Sequence, residues 1–280
     1  MGSLCKETKY IGYNYNFATK DKAKMVGKSK KKLIASLSQK KYRDKHGLFV
    51  AEGPKLVNDL LDSGLSPEFI ICTEKNIILN SRFHGVAELS EASEIRKISF
   101  LKTPQNILCV FQKPETSFTF GDHSQSMSLC LDGIQDPGNM GTILRLADWF
   151  GISSIICSPD TVDVFNPKVV QASMGALGRV NLHYTPMAEF CKKSAQELNL
   201  PVFGTFMNGE NIYKSDLPSK GLIILGNEGK GIRPETEQYI TRKLTIPRFP
   251  KGNNSSGMES LNVGVAAAIV CSEFKRSILS

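Results

Sequence analysis

The stretch that most restricts what this chain can become runs from Met127 to Gly151: M-S-L-C-L-D-G-I-Q-D-P-G-N-M-G-T-I-L-R-L-A-D-W-F-G. It opens as a short apolar run, Met127 to Leu131, with the character of a buried strand. Asp132, Gly133, Asp136, Pro137 and Gly138 then supply a turn. From Asn139 onward, Met140, Ile143, Leu144, Ala147 and Phe150 recur at helical spacing, which predicts a helix with one apolar face against a sheet. The pattern puts Asn139 at the N-cap and Arg145 on the same helix. In an open α/β sheet, a strand, a polar loop and a helix N-terminus in succession build a ligand site at the carboxyl end of the strand. Taken alone, the stretch reads equally as an ordinary βα turn, with Asn139 only capping and Arg145 only solvated.

Two later stretches repeat the arrangement. L-I-I-L-G-N-E-G-K-G-I, Leu222 to Ile232, joins an apolar strand to the loop Gly226-Asn227-Glu228-Gly229-Lys230-Gly231. Glycines there allow a ligand close to the backbone. The loop has neither the phosphate-loop spacing G-x-x-x-x-G-K-[ST] nor G-x-G-x-x-G. The second stretch is L-T-I-P, Leu244 to Pro247, followed by G-M-E-S-L-N-V-G-V-A-A-A-I, Gly257 to Ile269, which predicts a final helix over Ser260 to Lys275.

In order and spacing the three stretches resemble the signature motifs of the SpoU/TrmH class of RNA 2′-O-ribose methyltransferases, in the SPOUT superfamily; the resemblance covers about Ser126 to Phe274. It implies a mostly parallel sheet flanked by helices, a C-terminal trefoil knot, and methyl transfer from S-adenosylmethionine without a metal. It also implies a homodimer in which the motif arginine of one subunit lies near the other subunit's cofactor. Arg145, Asn139, Glu228, Ser260 and Asn262 match the catalytic positions of the class. By the resemblance, backbone groups at Gly226, in the loop that includes Asn227 and Gly229, and at Ile246 and Leu261 of the third stretch would hold the cofactor, with Leu225 and Thr205 as pocket wall. The class proposal makes the arginine a base. A guanidinium keeps its proton in neutral water, so the role taken here is to bind a phosphate and stabilise the developing alkoxide. Asn139 would orient Arg145 or the ribose, Glu228 would hold Asn139 or Arg145, and Ser260 and Asn262 would cap the last helix. One departure stands out: the link R-F-P-K-G-N-N-S-S-G-M-E, Arg248 to Glu259, is longer than usual for the class.

The rest of the chain divides around this half. Residues 1–25 read as a flexible leader without periodicity, or as an extension before a start at Met25. Lys28 to Lys45 is strongly basic with an apolar edge at Leu33, Ile34 and Leu37. This predicts a short helix and a phosphate-contacting surface, or simply a solvated helix face. Strand and helix patterns alternate from Lys45 to Lys113. Residues 26–113 are therefore expected to form a small α/β domain, and K-Y-R-D-K-H-G-L-F-V-A-E-G and T-P-Q-N-I-L-C-V-F resemble the substrate-binding domain that precedes the catalytic domain in this class. Residues 114–126 form the expected linker and residues 127–280 the methyltransferase domain. Trp149, Phe150 and Phe165 are assigned to core packing rather than base stacking.

A net charge of +8 favours a polyanionic partner, here RNA, with ribosomal favoured over transfer RNA. Seven scattered cysteines form no C-x-x-C pair and no metal-like cluster with the four histidines. They point to free thiols in a reducing cytoplasm. No apolar run is long enough to cross a membrane, and no secretory pattern is seen. Two rival readings stand beside the enzyme: a non-catalytic RNA-binding factor that kept the fold, and a nucleotide-binding α/β protein using the Gly226 to Gly231 loop.

Overall fold

Ten short strands alternate with nine α-helices among the described residues, and they sort into two sheets. The structure is a computed structural model that describes residues 23–115, 119–249 and 260–279. Most of the expected leader and most of the long link, residues 250–259, lie outside the described residues.

The first lobe contains α1 (Lys28–Ser36), α2 (Lys40–His46), β1 (Leu48–Glu52), α3 (Pro54–Asp62), β2 (Pro67–Cys72), β3 (Ala87–Leu89), α4 (Ala92–Arg96) and β4 (Ile107–Gln112). Its mixed sheet has the order β1-β4-β2-β3. The basic run forms two helices rather than one, because the chain turns at Leu37 to Gln39. The lobe also takes in Lys24, whose N–H donates to the Leu89 carbonyl at 2.8 Å.

The second lobe contains β5 (Met127–Asp132), α5 (Pro137–Trp149), β6 (Ser154–Cys157), α6 (Pro167–Ser173), β7 (Asn181–Tyr184), α7 (Met187–Glu197), β8 (Val202–Asn211), β9 (Gly221–Gly226), α8 (Pro234–Glu237), β10 (Arg242–Thr245) and α9 (Val263–Leu279). All its pairings are parallel, in the order β10-β8-β9-β5-β6-β7. β5 and β9 are central and buried along almost their whole length, as their continuous apolar runs require when helices cover both faces. The apolar face of α5, with Met140, Ile143 and Leu144, is fully buried, worth about 1.5–3 kcal/mol for each side chain. α9 packs alongside α5 and against β9.

One apolar core spans both lobes. Phe49 of β1 meets Phe165 at 5.0 Å between ring centroids. Arg43 closes the joint: its Nε and Nη2 donate to Asp163 Oδ2 at 2.9 and 2.6 Å, and its Nη1 donates to the Leu37 and Ser38 carbonyls. Arg43, expected in a phosphate-contacting surface, is instead 2% exposed.

β8 is twice the expected length. Its partner register with β10 jumps from Lys243↔Gly204 to Leu244↔Glu210, so Thr205 to Gly209 bulge out of the sheet. The Thr245 hydroxyl donates to the Met207 carbonyl at 3.0 Å and pins the bulge.

Candidate active site

The site starts with where α5 begins. The N-cap is Asp136, not Asn139: the Asp136 carboxylate accepts the Asn139 N–H at 2.8 Å, and Pro137 occupies the first turn, where its missing N–H costs nothing. Asn139 is therefore inside the first turn, and its side chain is free to reach outward. Its Nδ2 donates to Glu228 Oε1 at 2.7 Å, and its Oδ1 accepts from Asn262 Nδ2 at 2.9 Å. Asn262 in turn caps α9, its Oδ1 accepting the N–H groups of Gly264 and Val265. The Glu228–Asn139–Asn262 relay thus joins all three signature stretches. Neither end of the Asn139 amide points to Arg145.

The glycine loop is built so that its backbone faces a ligand. Gly226 ends β9 where a Cβ would lie 2.4 Å from the Gly231 carbonyl carbon, so no side chain fits. The Asn227 N–H donates to the Gly231 carbonyl and the Gly231 N–H donates back, closing the loop. The Asn227 side chain holds it from inside, donating to the Gly133 carbonyl and accepting from the N–H groups of Gly229 and Lys230. Asn227 is thus a scaffold for the loop.

A cleft of about 1410 Å³ opens at the carboxyl edge of β8, β9 and β10. Thr205, Gly226, Asn227, Glu228, Gly229, Ile246, Ser260 and Leu261 all line it. Leu225, expected as wall, does not: it is fully buried in the core, because a central parallel strand is covered on both faces. Arg145 does not line the cleft either. It lies exposed on the outer face of α5, six residues beyond Asn139, about 9 Å along the helix axis, and takes part in no ion pair among the described residues. Trp149, assigned to the core, is 83% exposed on that same outer face, one turn past Arg145. Sequence reasoning also missed Met207, which the β8 bulge brings to the rim 57% exposed, and Phe249, 82% exposed beside it in the lining. Among the described residues no group of His, Cys, Asp and Glu is arranged to hold a metal, and no helix is long and apolar enough to cross a membrane.

The parallel sheet with a backbone-walled cleft at its carboxyl edge is the architecture of an α/β enzyme, and the similarities to known proteins make its class that of the S-adenosylmethionine-dependent RNA methyltransferases. The chain belongs to the SpoU rRNA methylase family, whose model matches residues 126–272. Residues 28–109 match an MRM3-like substrate binding domain. The chain is 28% identical to the 23S rRNA (guanosine(2553)-2′-O)-methyltransferase RlmP of Bacillus subtilis, over 84% of this chain and 91% of that protein. It is 26% identical to the human mitochondrial rRNA methyltransferase 3, over 92% of this chain and 74% of that protein. A structure from Porphyromonas gingivalis assigned to the TrmH family of RNA methyltransferases superposes with a TM-score of 0.80 at 38% identity, covering 90% of this chain and 99% of that one. An AdoMet-bound rRNA methyltransferase from Sinorhizobium meliloti superposes with a TM-score of 0.79 at 29% identity, covering 92% of this chain and 99% of that one.

Proposed function

We propose that this protein transfers a methyl group from S-adenosylmethionine to a ribose 2′-hydroxyl of ribosomal RNA. The observation that carries the reading is the Glu228–Asn139–Asn262 relay, which ties three separate signature stretches to the mouth of one cleft. The cleft suits the cofactor: Gly226 leaves its backbone bare, and Ile246, Leu261 and Val263 offer apolar wall to an adenosine. When bound there the cofactor supplies an electrophilic methyl on a sulfonium centre. Thr205, Gly229, Ile246 and Leu261 would hold it. The relay fixes the Asn139 amide between Glu228 and Asn262, and Ser260 lines the same cleft; there a ribose would be oriented for in-line attack.

Arg145 is assigned to bind a substrate phosphate and to stabilise the alkoxide that forms as the hydroxyl proton leaves. Its place on the outer face of α5, away from the cleft of its own chain, supports a homodimer in which it serves the partner's cleft. Trp149 at 83% exposed, together with Val265 at 50% on the neighbouring α9, offers the apolar surface such a dimer would cover. Lys28, Lys32, Lys40, Lys41 and Lys45 are exposed on α1 and α2, and we assign them to the RNA backbone. The reading includes the C-terminal trefoil knot of the class and a cytoplasmic location.

The test is methyl transfer from radiolabelled S-adenosylmethionine into unmodified ribosomal RNA, wild type beside Arg145→Ala. Label in alkali-resistant dinucleotides that disappears with Arg145→Ala is the expected result. Cofactor binding without label transfer would favour a non-catalytic RNA-binding factor.

A further inference from the structure

Both ends of the glycine loop are fastened to one turn, Asp132-Gly133 at the end of β5. At the first end, Asn227 Nδ2 donates to the Gly133 carbonyl at 2.8 Å. At the other end, the Arg233 N–H donates to Asp132 Oδ2 at 3.0 Å, and Arg233 Nη1 stands 3.1 Å from Asp132 Oδ1. Asp132 is fully buried, and the Arg233 guanidinium is its ion partner. A second carboxylate, Asp160 after β6, accepts from Arg233 Nη2, and Ser158 ties that carboxylate back to the turn by donating to Asp160 Oδ1 while accepting the Gly133 N–H. Gly133 has φ +78°, and a Cβ there would lie 3.0 Å from Arg233 Nη2, so a glycine is needed for the guanidinium to close over the turn. Burial pushes the Asp160 carboxyl up, but the hydrogen bonds from Arg233 and Ser158 outweigh it and hold it below its ordinary range.

We infer that Arg233 is a positioning residue for the cleft: by bridging buried Asp132 and Asp160 it locks the loop Gly226 to Gly231, and with it Glu228, in register with Asn139. The assignment deepens the proposed function and rests on the loop forming cofactor wall. The physical logic is that a buried carboxylate stripped of its counter-charge is costly, so the loop and turn rearrange when Arg233 is lost. Lysine at 233 would restore a point charge but not the fork that spans two carboxylates.

The experiment compares wild type, Arg233→Ala, Arg233→Lys and Asp160→Asn. It reads backbone hydrogen exchange over residues 226–233, the Kd for S-adenosylmethionine by calorimetry, and kcat with KM. In Arg233→Ala we expect loop exchange to rise about tenfold and the cofactor Kd to weaken about tenfold, while exchange in the β1-β4-β2-β3 sheet stays unchanged. Arg233→Lys should recover part of both. Asp160→Asn, a milder change at a part-exposed group, should raise loop exchange about threefold and keeps the test open if Arg233→Ala does not fold. Unchanged loop exchange and cofactor Kd in a folded Arg233→Ala or in Asp160→Asn would overturn the assignment. Wild-type protein that bound no S-adenosylmethionine would sink the cofactor reading instead, and the exchange comparison would still decide the clamp.

Discussion

Arg43 and Arg145 are both helical arginines in a basic protein, and they have opposite surroundings. Arg43 is 2% exposed and spends its donors on Asp163 and two carbonyls at the joint between the lobes. Arg145 is exposed on α5 with no ion pair among the described residues. The contrast shows how to sort charge in such a fold. A guanidinium whose donors are satisfied inside an apolar joint belongs to stability, since leaving either partner alone there is costly. A guanidinium kept in water with free donors costs the fold little and is available to a ligand. Residue type and local charge density do not separate the two; burial and partners do.

The contrast breaks most visibly at Arg43. Arg43→Ala leaves Asp163, only 10% exposed, without its counter-charge, and should cost about 3–5 kcal/mol of stability in denaturant titration. The double variant Arg43→Met/Asp163→Leu should recover most of that loss, because a packed apolar pair needs no desolvated charge. Recovery that failed would mean that the Leu37 and Ser38 carbonyls, which lose the Arg43 Nη1 donor in both variants, carry the loss rather than the ion pair. At Arg145 the expected pattern is reversed. Arg145→Ala should leave the denaturation midpoint in place and lower kcat by roughly 10²–10³, the range for removing one donor that stabilises developing charge. A stability loss as large as that of Arg43→Ala would abolish the distinction between them.

Much of this was readable from residue order. The apolar run Met127–Leu131 forms β5 with one further residue, and Met140, Ile143, Leu144 and Ala147 are the buried face of α5 as their spacing requires. The same helical arithmetic places Trp149 four residues after Arg145 on the outer face, where position along the helix rather than apolar size decides its exposure. The N-cap of α5 lies three residues before Asn139, because Asp136-Pro137, which also suits a turn, is a cap followed by Pro. That small shift decides the chemistry, since only a residue inside the helix can offer both ends of its amide to Glu228 and Asn262. Leu225 belongs to the continuous apolar run of β9, which signals burial on both faces of the strand. Two features had no local signal. The β8 bulge arises from its register with β10. The Asp132–Arg233 clamp joins residues 101 apart in the chain.

Trp149 sharpens the comparison on the Arg145 side. If its exposed indole anchors a homodimer, Trp149→Glu should weaken self-association by about 2 kcal/mol or more, the scale of a buried aromatic anchor, read by multi-angle light scattering across concentration. Methyl transfer should fall with the dimer and return when protein concentration is raised. A variant that stays dimeric would release Trp149 for another partner and leave Arg145 to be explained within one chain.

The smallest expected effect is also electrostatic, and lies in the first lobe. Glu52 ends β1 as Asp132 ends β5, buried, but its partners are neutral: the Ser99 hydroxyl and the Phe100 N–H, the latter at 2.8 Å. Burial pushes the Glu52 carboxyl up, and the two hydrogen bonds only partly offset it. A carboxyl whose folded pKa lies above its unfolded value binds its proton more tightly when folded. Stability is therefore highest below the unfolded pKa and declines as pH rises through the folded one. Glu52→Gln should flatten that decline while leaving the plateau above it nearly unchanged in slope, measured as the denaturation midpoint against pH from about 4 upward. An identical pH profile in wild type and variant would show that the loop after α4 shields Glu52 no more than water does.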